Sequence, residues 1–474
     1  MHLPSASLCQ TAGIASLMLG AAALPAAPAT TTPPNIMLIL IDDLGWGDIG
    51  VYGQKFIDTP NFDRLATQGM TLTHAYAPAP ICSASRAASL TGRSPARLHF
   101  EFVTKPDGAK HPAGVVLNPP PYPRDLPLSE ISLAEALAPA GYKTGYYGKW
   151  HLTQETGGKY LGHGAKFGPA QQGFAETSEE RGSHPYNYPK GKKNRPGPGA
   201  FKPGEFAPDA LTDQAIGFLR RHRDERFFLF LSYYYVHYPL HTRCKWLLDK
   251  YDARAKELGI NLNEAQLTYA AFVETMDHLV GRALDALDQL GLAENTFVVL
   301  TSDNGGDPRV AWNGLRGSKW TLYEGGVRGP FIARWPGVIK AGSSSATPVT
   351  ATDLMPTFCE AAGAEPPPVT LDGMSILPLL AGKTQTLARD TLTWHFPFYH
   401  PDHVNTRPCS SMRKGDMKLI YFYEDERAEL YNLAEDPQES SDLAKTQPEL
   451  AAKLRDELLS TLKAQGARFP TRKG

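Results

Sequence analysis

The stretch Pro80–Arg93, which reads PICSASRAASLTGR, contains residues whose types and spacing could do chemistry. Cys82 precedes a run of small residues that predicts a helix beginning near this cysteine. The amino end of a helix carries partial positive charge and unpaired N–H groups, so it favours a deprotonated nucleophile and an anionic substrate. Arg86, four residues on, would lie one turn along the same face. From these residues alone a structural core cysteine remains the alternative.

Two adjacent carboxylates follow a continuous apolar run near the amino end of the chain. The run Asn35–Ile41 is typical of a central strand buried on both faces. Asp42 and Asp43 come directly after it, and carboxylates in this position are costly unless a cation lies beside them. In open α/β sheets the carboxyl edge is also where ligands bind. A solvated turn is the alternative interpretation of the two aspartates.

Two further apolar runs also end in polar side chains. Phe227–Tyr233 leads to His237, and Thr296–Thr301 leads to Asp303 and Asn304. Because helical patterns separate the runs, we expect a mostly parallel sheet whose strand ends meet at one edge. The oxygen donors at this edge would be Asp42, Asp43, Asp303 and Asn304. Such a set suits Ca²⁺ or Mg²⁺ better than zinc.

Positive charge and imidazole groups are available from two other segments. A short strand, Thr144–Tyr147, leads into Lys149 and His151. After the third apolar run, Lys319 and Arg328 could supply positive charge for an anion. These segments therefore add candidate binding groups to the predicted edge.

The pattern predicts an α/β fold with a large mixed, mostly parallel sheet between helices, and a smaller C-terminal antiparallel sheet with one helix. Residues 30–384 would form the main domain and residues 385–474 a C-terminal subdomain. The strands Thr391–Trp394 and Met417–Phe422 and the helix Gln447–Gln465 would build the subdomain. The main-domain helices are predicted at Thr59–Leu65, Glu130–Ala140, Ala210–Arg221, Asn263–Leu290 and Thr352–Ala362. Residues 152–208 have no clear period and predict a long surface excursion.

Composition and the amino-terminal segment restrict the possible partners and the location of the protein. The 474 residues carry 48 basic and 49 acidic side chains, a net charge of −1 that argues against a nucleic-acid partner. Residues 1–29 predict a secretory signal peptide, with the apolar run Ile14–Leu24 and a small-residue cleavage site ending at Ala29. We therefore expect a periplasmic or secreted protein with no membrane span.

Four cysteines remain after the predicted cleavage. Their wide spacing fits no zinc pattern and leaves one disulfide open in an exported chain. Cys359 lies in an apolar helical stretch and is predicted to be core.

Six motifs occur in order: IDDLGWGD from Ile41, CSASRAASLTG from Cys82, GKWH from Gly148, HYP from His237, SDNGG from Ser302, and KWTLYEGGVRGP from Lys319. With these motifs the sequence resembles the formylglycine-dependent sulfatases of the alkaline-phosphatase superfamily. It is most similar to the branch of arylsulfatase A and N-acetylgalactosamine-6-sulfatase. The resemblance covers nearly all of the predicted mature chain, and a chance match to all six motifs is very rare.

The resemblance implies how the nucleophile and the metal are held. Cys82 would be oxidised after synthesis to formylglycine, whose hydrate attacks sulfur. One Ca²⁺, with Mg²⁺ the less favoured ion, would complete the site. The implied metal ligands are Asp42, Asp43, Asp303, Asn304 and the modified Cys82.

The resemblance also implies roles for the remaining groups. Arg86 and Lys149 would orient and neutralise the hydrate. His151 would hydrogen-bond it and later help to collapse the sulfated intermediate. His237 and Lys319 would bind the sulfate oxygens, with His237 a candidate acid for the leaving oxygen.

The function implied is an exported sulfatase, exo-acting on a sulfated carbohydrate. Two alternatives stay open: a phosphonate or phosphodiester hydrolase of the same superfamily, and a non-catalytic binder of sulfated glycans. Ala84 replaces the commoner proline of the family motif, so the partner that modifies Cys82 is either a formylglycine-generating enzyme or an anaerobic radical maturase. Val236 also replaces a frequent proline, with no expected consequence.

Residues of two polar segments are either sugar contacts or ordinary surface residues. In the C-terminal segment these are His395, His400, His403 and Arg413, and in the long excursion they are His163, His184 and Tyr186. The sequence does not decide between the two interpretations.

Overall fold

The computed structural model describes residues 32–105, 112–156, 159–160, 162–188, 197, 199, 201–310, 312, 314–400, 403 and 406–474. The predicted signal peptide, residues 1–29, lies outside them. No helix in this part of the chain combines the length and the apolar character that a membrane crossing requires.

The strands of the described residues are β1 (Asn35–Ile41), β2 (Met70–Leu72), β3 (Ala75–Tyr76), β4 (Leu117–Asn118), β5 (Lys143–Gly148), β6 (Glu155–Thr156), β7 (Lys159–Tyr160), β8 (Glu176–Ser178), β9 (Phe227–Tyr233), β10 (Thr296–Ser302), β11 (Phe331–Arg334), β12 (Ser343–Ser345), β13 (Val349–Thr350), β14 (Thr391–Phe396), β15 (Cys409–Lys414), β16 (Met417–Phe422), β17 (Arg427–Asn432) and β18 (Thr471–Arg472). The helices are α1 (Pro60–Thr67), α2 (Cys82–Thr91), α3 (Pro95–Leu98), α4 (Leu133–Leu137), α5 (Ala210–Arg221), α6 (Lys245–Glu257), α7 (Glu264–Gln289), α8 (Glu324–Val327), α9 (Leu354–Ala362), α10 (Leu377–Leu380) and α11 (Pro448–Ala464).

The large sheet has the strand order β12-β2-β11-β10-β1-β9-β5-β8. The central strands β10, β1, β9, β5 and β8 run parallel, whereas β11 is antiparallel to both β10 and β2. The predicted mixed, mostly parallel sheet is therefore confirmed. In the register of β1 with its neighbours, Ile41 pairs with Ser302 on one side and Tyr233 on the other. The chain segments that follow these three strands consequently leave the sheet at the same edge.

The strand β1 is buried at every position because helices cover both faces of the large sheet. Met37 and Ile39 pack in the core formed with α1, α5, α6 and α7. Ile36, Leu38 and Leu40 alternate with them and pack in the opposite core, with α2, α4 and α9. Successive side chains of a strand point to opposite faces, so one continuous apolar run supplies both cores.

The small sheet, β14–β17, is an antiparallel meander. One face packs on α11, with Leu419 and Leu458 in the same buried cluster. The other face packs on the segment before α2, where Trp394 and Phe396 join Ile81 in one core. The predicted sheet and helix are confirmed, while a domain boundary between residues 384 and 385 stays a prediction.

Several elements differ from the sequence prediction, and three of them are informative. The helix expected over Glu130–Ala140 is shorter, because Ser132 and Glu135 form a capping box that begins α4 at Leu133 and a 3-10 turn follows it. The helix α6 was not predicted. The excursion of residues 152–208 contributes β8 to an edge of the large sheet, a three-residue strand too short to show a period.

The four described cysteines are all buried and unpaired, so the disulfide left open by the sequence does not form among them. Cys359 packs in the core beneath the large sheet, as predicted.

A buried ion network joins the two sheets. Lys418 on β16 is fully buried; its Nζ donates to Glu324 Oε1 at 2.9 Å and lies 3.0 Å from Glu439 Oε1. Glu324 begins α8, directly after the segment that contains Lys319. Because both carboxylates are also buried, neither has solvent as a substitute for the ammonium group.

We expect Lys418→Met to lower stability by about 3–5 kcal/mol, because Glu439 then has no ion-pair partner among the described residues and Glu324 keeps only Arg328, at 3.5 Å. The exposed pair of Lys245 and Asp249 provides the matched control, since Lys245→Met should cost only about 0–1 kcal/mol. Urea unfolding measures both variants. Equal unfolding midpoints would show that the network contributes no more than a surface pair.

Candidate active site

Cys82 is the first residue of α2, a helix whose ten residues are all buried. Ala84, Ala87 and Ala88 are fully buried on it, and their small size lets the helix lie within the core. The sequence predicted that this helix end favours a deprotonated nucleophile. Burial instead raises the pKa of Cys82, although Lys149 and Lys319 act in the opposite direction. The unmodified thiol therefore stays protonated at neutral pH.

The carboxylates predicted to meet at the sheet edge do so, and all are fully buried. Asp43 has a left-handed backbone, with φ of 61°, which turns the chain directly after Asp42. The backbone N–H of Asp43 donates to Asp303 Oδ1 at 3.2 Å. Asn304 Nδ2 donates to Asp43 Oδ1 at 2.7 Å. Burial raises the pKa of both Asp43 and Asp303, so the group is stable as carboxylates only with cations beside it.

Three buried cations each pair with one of the carboxylates. Arg86 Nε donates to Asp303 Oδ2 at 2.8 Å. Lys149 Nζ donates to Asp42 Oδ2, and Lys319 Nζ lies 2.7 Å from Asp43 Oδ1 and 2.8 Å from Asp43 Oδ2. Burial acts to lower the pKa of Lys319, but Asp43 and the other acidic groups around it together outweigh this effect and the pKa is raised.

The residues present fit a divalent cation. One ligand atom each of Asp42, Asp43, Cys82 and His237 lies within 4.8 Å of the others. Asp42 Oδ1 and Asn304 Oδ1 are buried and accept no hydrogen bond in the described structure. Unpartnered buried oxygens are expected where a hard cation binds. The position of His237 in this group was not predicted, since the sequence analysis assigns it only a contact to sulfate.

His237 follows β9 and is held by the backbone and by one tyrosine. Its Nδ1 donates to the carbonyl of Tyr238 at 2.5 Å, so Nε2 is the nitrogen that faces Asp43, at 3.6 Å from Oδ2. The hydroxyl of Tyr186 donates to the same carbonyl at 2.9 Å and lies 2.9 Å from Nδ1. Burial lowers the pKa of His237, and Lys319 and Lys149 lower it further. The imidazole is therefore neutral in the free site.

His151 follows β5 in a left-handed conformation, with φ of 59°. Burial lowers the pKa of His151, and the charges of Lys149 and Arg86 add to this effect. Both histidines that the sequence predicted for the site are therefore neutral there, because the same cations surround them.

Two supporting residues were missed by the sequence analysis. Ser232 Oγ accepts from Arg86 Nη1 at 2.6 Å and donates to the carbonyl of Lys149 at 2.7 Å. The hydroxyl of Tyr146 also donates to that carbonyl at 2.5 Å. Both residues belong to apolar strand runs, and only their position at or near a strand's carboxyl end could have indicated them.

In the long excursion, the structure assigns all three undecided residues to the surroundings of the site. Tyr186 contacts His237, as described above, and His184 Nε2 lies 2.8 Å from the carbonyl of His237. His163 Nε2 lies 2.8 Å from the carbonyl of Gly148. These side chains support the segments that carry Lys149 and His237.

The undecided histidines of the C-terminal segment do not all lie near the site. The ring of His400 lies 4.1 Å from that of Trp320, the neighbour of Lys319, and the ring of His403 lies 5.5 Å from it. His395 is buried elsewhere, 2.7 Å from Ser410 Oγ. For His395 both interpretations were wrong, because it is neither exposed nor at the site.

Two arginines considered from sequence do not join the site. Arg328 is buried and donates to the carbonyl of Thr73 at 2.9 and 2.6 Å rather than lying beside Lys319. Arg413 donates to the hydroxyl of Tyr76. Proximity in sequence to a polar motif gave no information about the direction of either side chain.

Comparison with known proteins identifies the family. A family model described as Sulfatase matches residues 34–364, and one described as N-sulphoglucosamine sulphohydrolase, C-terminal, matches residues 317–465. Arylsulfatase A from Homo sapiens is 33% identical, over 94% of this chain and 90% of the relative. N-acetylgalactosamine-6-sulfatase from Canis lupus familiaris is 36% identical, over 77% of this chain and 69% of the relative.

Among solved structures, Ps i-CgsB in complex with k-i-k-neocarrahexaose superimposes with a TM-score of 0.72 at 27% identity, covering 91% of this chain and 93% of the other. The family resemblance predicted from the six motifs is thus confirmed. The chain belongs to the sulfatase family, and it is a hydrolase of sulfuric esters.

Proposed function

We propose that this sulfatase is exported, removes sulfate from the terminal unit of a sulfated carbohydrate, and uses a nucleophile made from Cys82. The observation that carries the proposal is the position of Cys82, on a buried helix end beside three carboxylates and three cations. An unmodified thiol with a raised pKa is a poor nucleophile in this setting. Formylglycine at position 82 would supply a hydrated aldehyde oxygen, which a divalent ion makes more acidic.

The residues around position 82 keep that oxygen oriented and charged. Arg86 and Lys149 bring two positive charges beside it, held in place by Asp303 and Asp42. Neutral His151 can accept a hydrogen bond from a hydroxyl on residue 82. These groups are fixed before substrate binds, which is the condition for strong electrostatic stabilisation of a transition state.

Lys319 and His237 would bind the sulfate oxygens on the opposite side. The ammonium group of Lys319 offers fixed positive charge, and Nε2 of His237 faces the site because Nδ1 is occupied by the Tyr238 carbonyl. For His237 to protonate the leaving oxygen, Nε2 must first gain a proton. An anionic sulfate ester beside the ring opposes the effect of Lys319 and raises the pKa of His237.

We propose one Ca²⁺ as the bound ion, with Mg²⁺ less favoured. Asp42, Asp43, Asp303, Asn304 and the modified Cys82 would hold it. The donors are carboxylate and amide oxygens in a group that strand ends and a helix end fix from three directions, which suits the larger coordination shell of Ca²⁺.

A carbohydrate substrate and export rest on separate arguments. The structure of Ps i-CgsB contains an oligosaccharide, and one relative is named for a sulfated amino sugar. His400 and His403 near Lys319 offer imidazole groups for a sugar beside the sulfate. The segment of residues 1–29 supports export, and Ala84 keeps both kinds of maturase open as partners.

We expect Cys82→Ala to lower the hydrolysis of an aryl sulfate by roughly 10³-fold or more, as for other enzymes that lose their nucleophile. Cys359→Ala removes another buried cysteine and should keep its activity. Both proteins are produced with a maturase, and peptide mass spectrometry checks the wild-type chain for the aldehyde. An intact thiol at position 82 in a fully active enzyme would contradict the proposal.

Removal of divalent ions should abolish turnover and lower the thermal unfolding midpoint, because the buried carboxylates lose a counter-charge. Calcium should restore both more fully than magnesium. In Asn304→Ala the calcium concentration for half-recovery should rise roughly tenfold or more, whereas the exposed Asn187→Ala should match the wild type. If chelation changes neither the unfolding midpoint nor the turnover, the proposed bound ion is excluded.

Tyr186→Phe should lower kcat/KM about two- to tenfold, the effect of one lost hydrogen bond, because the ring of His237 is less firmly oriented. Tyr188→Phe removes a hydroxyl from the same segment without a described contact to His237 and should change little. Steady-state kinetics with an aryl sulfate measures both. Equal losses in the two variants would argue against a positioning role for Tyr186.

A further inference from the structure

A cavity of about 460 Å³ lies where the large sheet meets the small sheet. Its polar lining includes Trp46, His74, Arg328, Arg413 and the carboxylate of Asp416, and Ala434 also lines it. The residues assigned above to the nucleophile, the metal and the sulfate oxygens are not part of its described lining. Its volume is in the range of small-molecule sites.

Each of the two arginines is held in place by hydrogen bonds, and its remaining amino group faces a carboxylate at 3.5 Å or more. Arg328 uses Nε and Nη2 for the carbonyl of Thr73, and its Nη1 lies 3.5 Å from Glu324. Arg413 uses Nε for Gly415 and Nη1 for Tyr76, and its Nη2 lies 3.9 Å from Asp416. Neither remaining amino group makes a hydrogen bond to a described residue. Both guanidinium groups are therefore fixed in direction with binding capacity to spare.

An indole N–H adds a third donor at this cavity. Trp46 stacks under Arg328, with its ring 4.4 Å from the guanidinium carbon. Its Nε1 is buried and makes no hydrogen bond to the described part of the chain. A buried donor without a protein partner is available to a group bound in the cavity.

The charges behind the cavity do not balance. Three buried cations, Lys418, Arg328 and Arg413, face two buried carboxylates, Glu324 and Glu439. Burial also raises the pKa of Glu439 to about 7, which reduces its negative charge near neutral pH. Asp416 is 67% exposed and water screens its charge, so it compensates Arg413 only weakly.

The excess of positive charge also affects the imidazole of His74, which lines the cavity. The pKa of His74 is lowered to about 4, first by burial and then by Arg328 and Arg413, against opposing effects of Glu324 and Asp416. His74 is thus neutral in the cavity and adds a polar group without further charge.

We propose that this cavity is an oxyanion site that binds a sulfate or carboxylate group between Arg328 and Arg413. Guanidinium groups suit the geometry of such anions, and both of these arginines line the cavity. Two sources have this chemistry: free sulfate, which the enzyme releases, and a second anionic group on the substrate carbohydrate. Binding of free sulfate here requires no turnover, so the proposal can fail or succeed independently of the proposed function.

The test is calorimetric titration of the full-length chain with sodium sulfate at low ionic strength. Ala434 is exposed and lines the cavity, so Ala434→Glu adds a repelling charge and Ala434→Lys an attracting one at the same position. Wild-type protein should show a sulfate site that responds to a charge at position 434, whether or not the active site also binds sulfate. Ala434→Glu should weaken this site about fivefold or more, as expected for a repelling charge in the cavity lining, while Ala434→Lys should keep or tighten it.

A singly and a doubly sulfated disaccharide then distinguish the two sources. Stronger displacement of sulfate from the cavity by the doubly sulfated compound assigns the site to the substrate, and equal displacement assigns it to the free ion. No sulfate binding by the wild type, or identical titrations for the wild type and both Ala434 variants, would overturn the proposal. Because Ala434 is a surface position, neither result can be attributed to a failure to fold.

Discussion

The structure depends on the concentration of charge at the carboxyl edge of its central sheet. Three carboxylates and three cations, all buried, balance one another at the ends of β1 and β10 and around α2. A divalent ion would add two positive charges. An anionic ester and a deprotonated nucleophile would each add one negative charge, so the net charge of the completed site returns to zero. The arrangement therefore favours a monoanionic substrate for electrostatic reasons before any contact to its organic part is considered.

This concentration of charge explains why so much of the surroundings is rigid. Arg86 is fixed by Asp303, Ser232 and the carbonyl of Lys149, and that carbonyl also accepts from Tyr146. Strands supply these partners because their register places side chains reproducibly at one edge. The helix α2 supplies the cysteine from the core side, where small alanine side chains permit close approach.

The sequence allowed prediction of the parts that a continuous apolar run or a motif defines. The runs that became β1, β9 and β10 predicted both the central strands and the convergence of Asp42, Asp43, Asp303 and Asn304. It could not predict β8, which is too short for a period, or the roles of Ser232 and Tyr186, whose partners are remote in sequence. Arg328 and Arg413 show the same limit: a charged residue near a motif can point away from it, because tertiary packing decides its direction.

The burial of α2 determines when Cys82 can be modified relative to folding. Cys82 is 2% exposed, and the helix around it is enclosed by the cores of both sheets. A maturase must reach the sulfur of Cys82, which the folded chain encloses, so under the proposed mechanism the modification must precede folding. The rate at which Cys82 is modified would then compete with the rate of folding, because the folded chain no longer exposes Cys82. A variant of this chain that folds faster could therefore be more stable and yet less active.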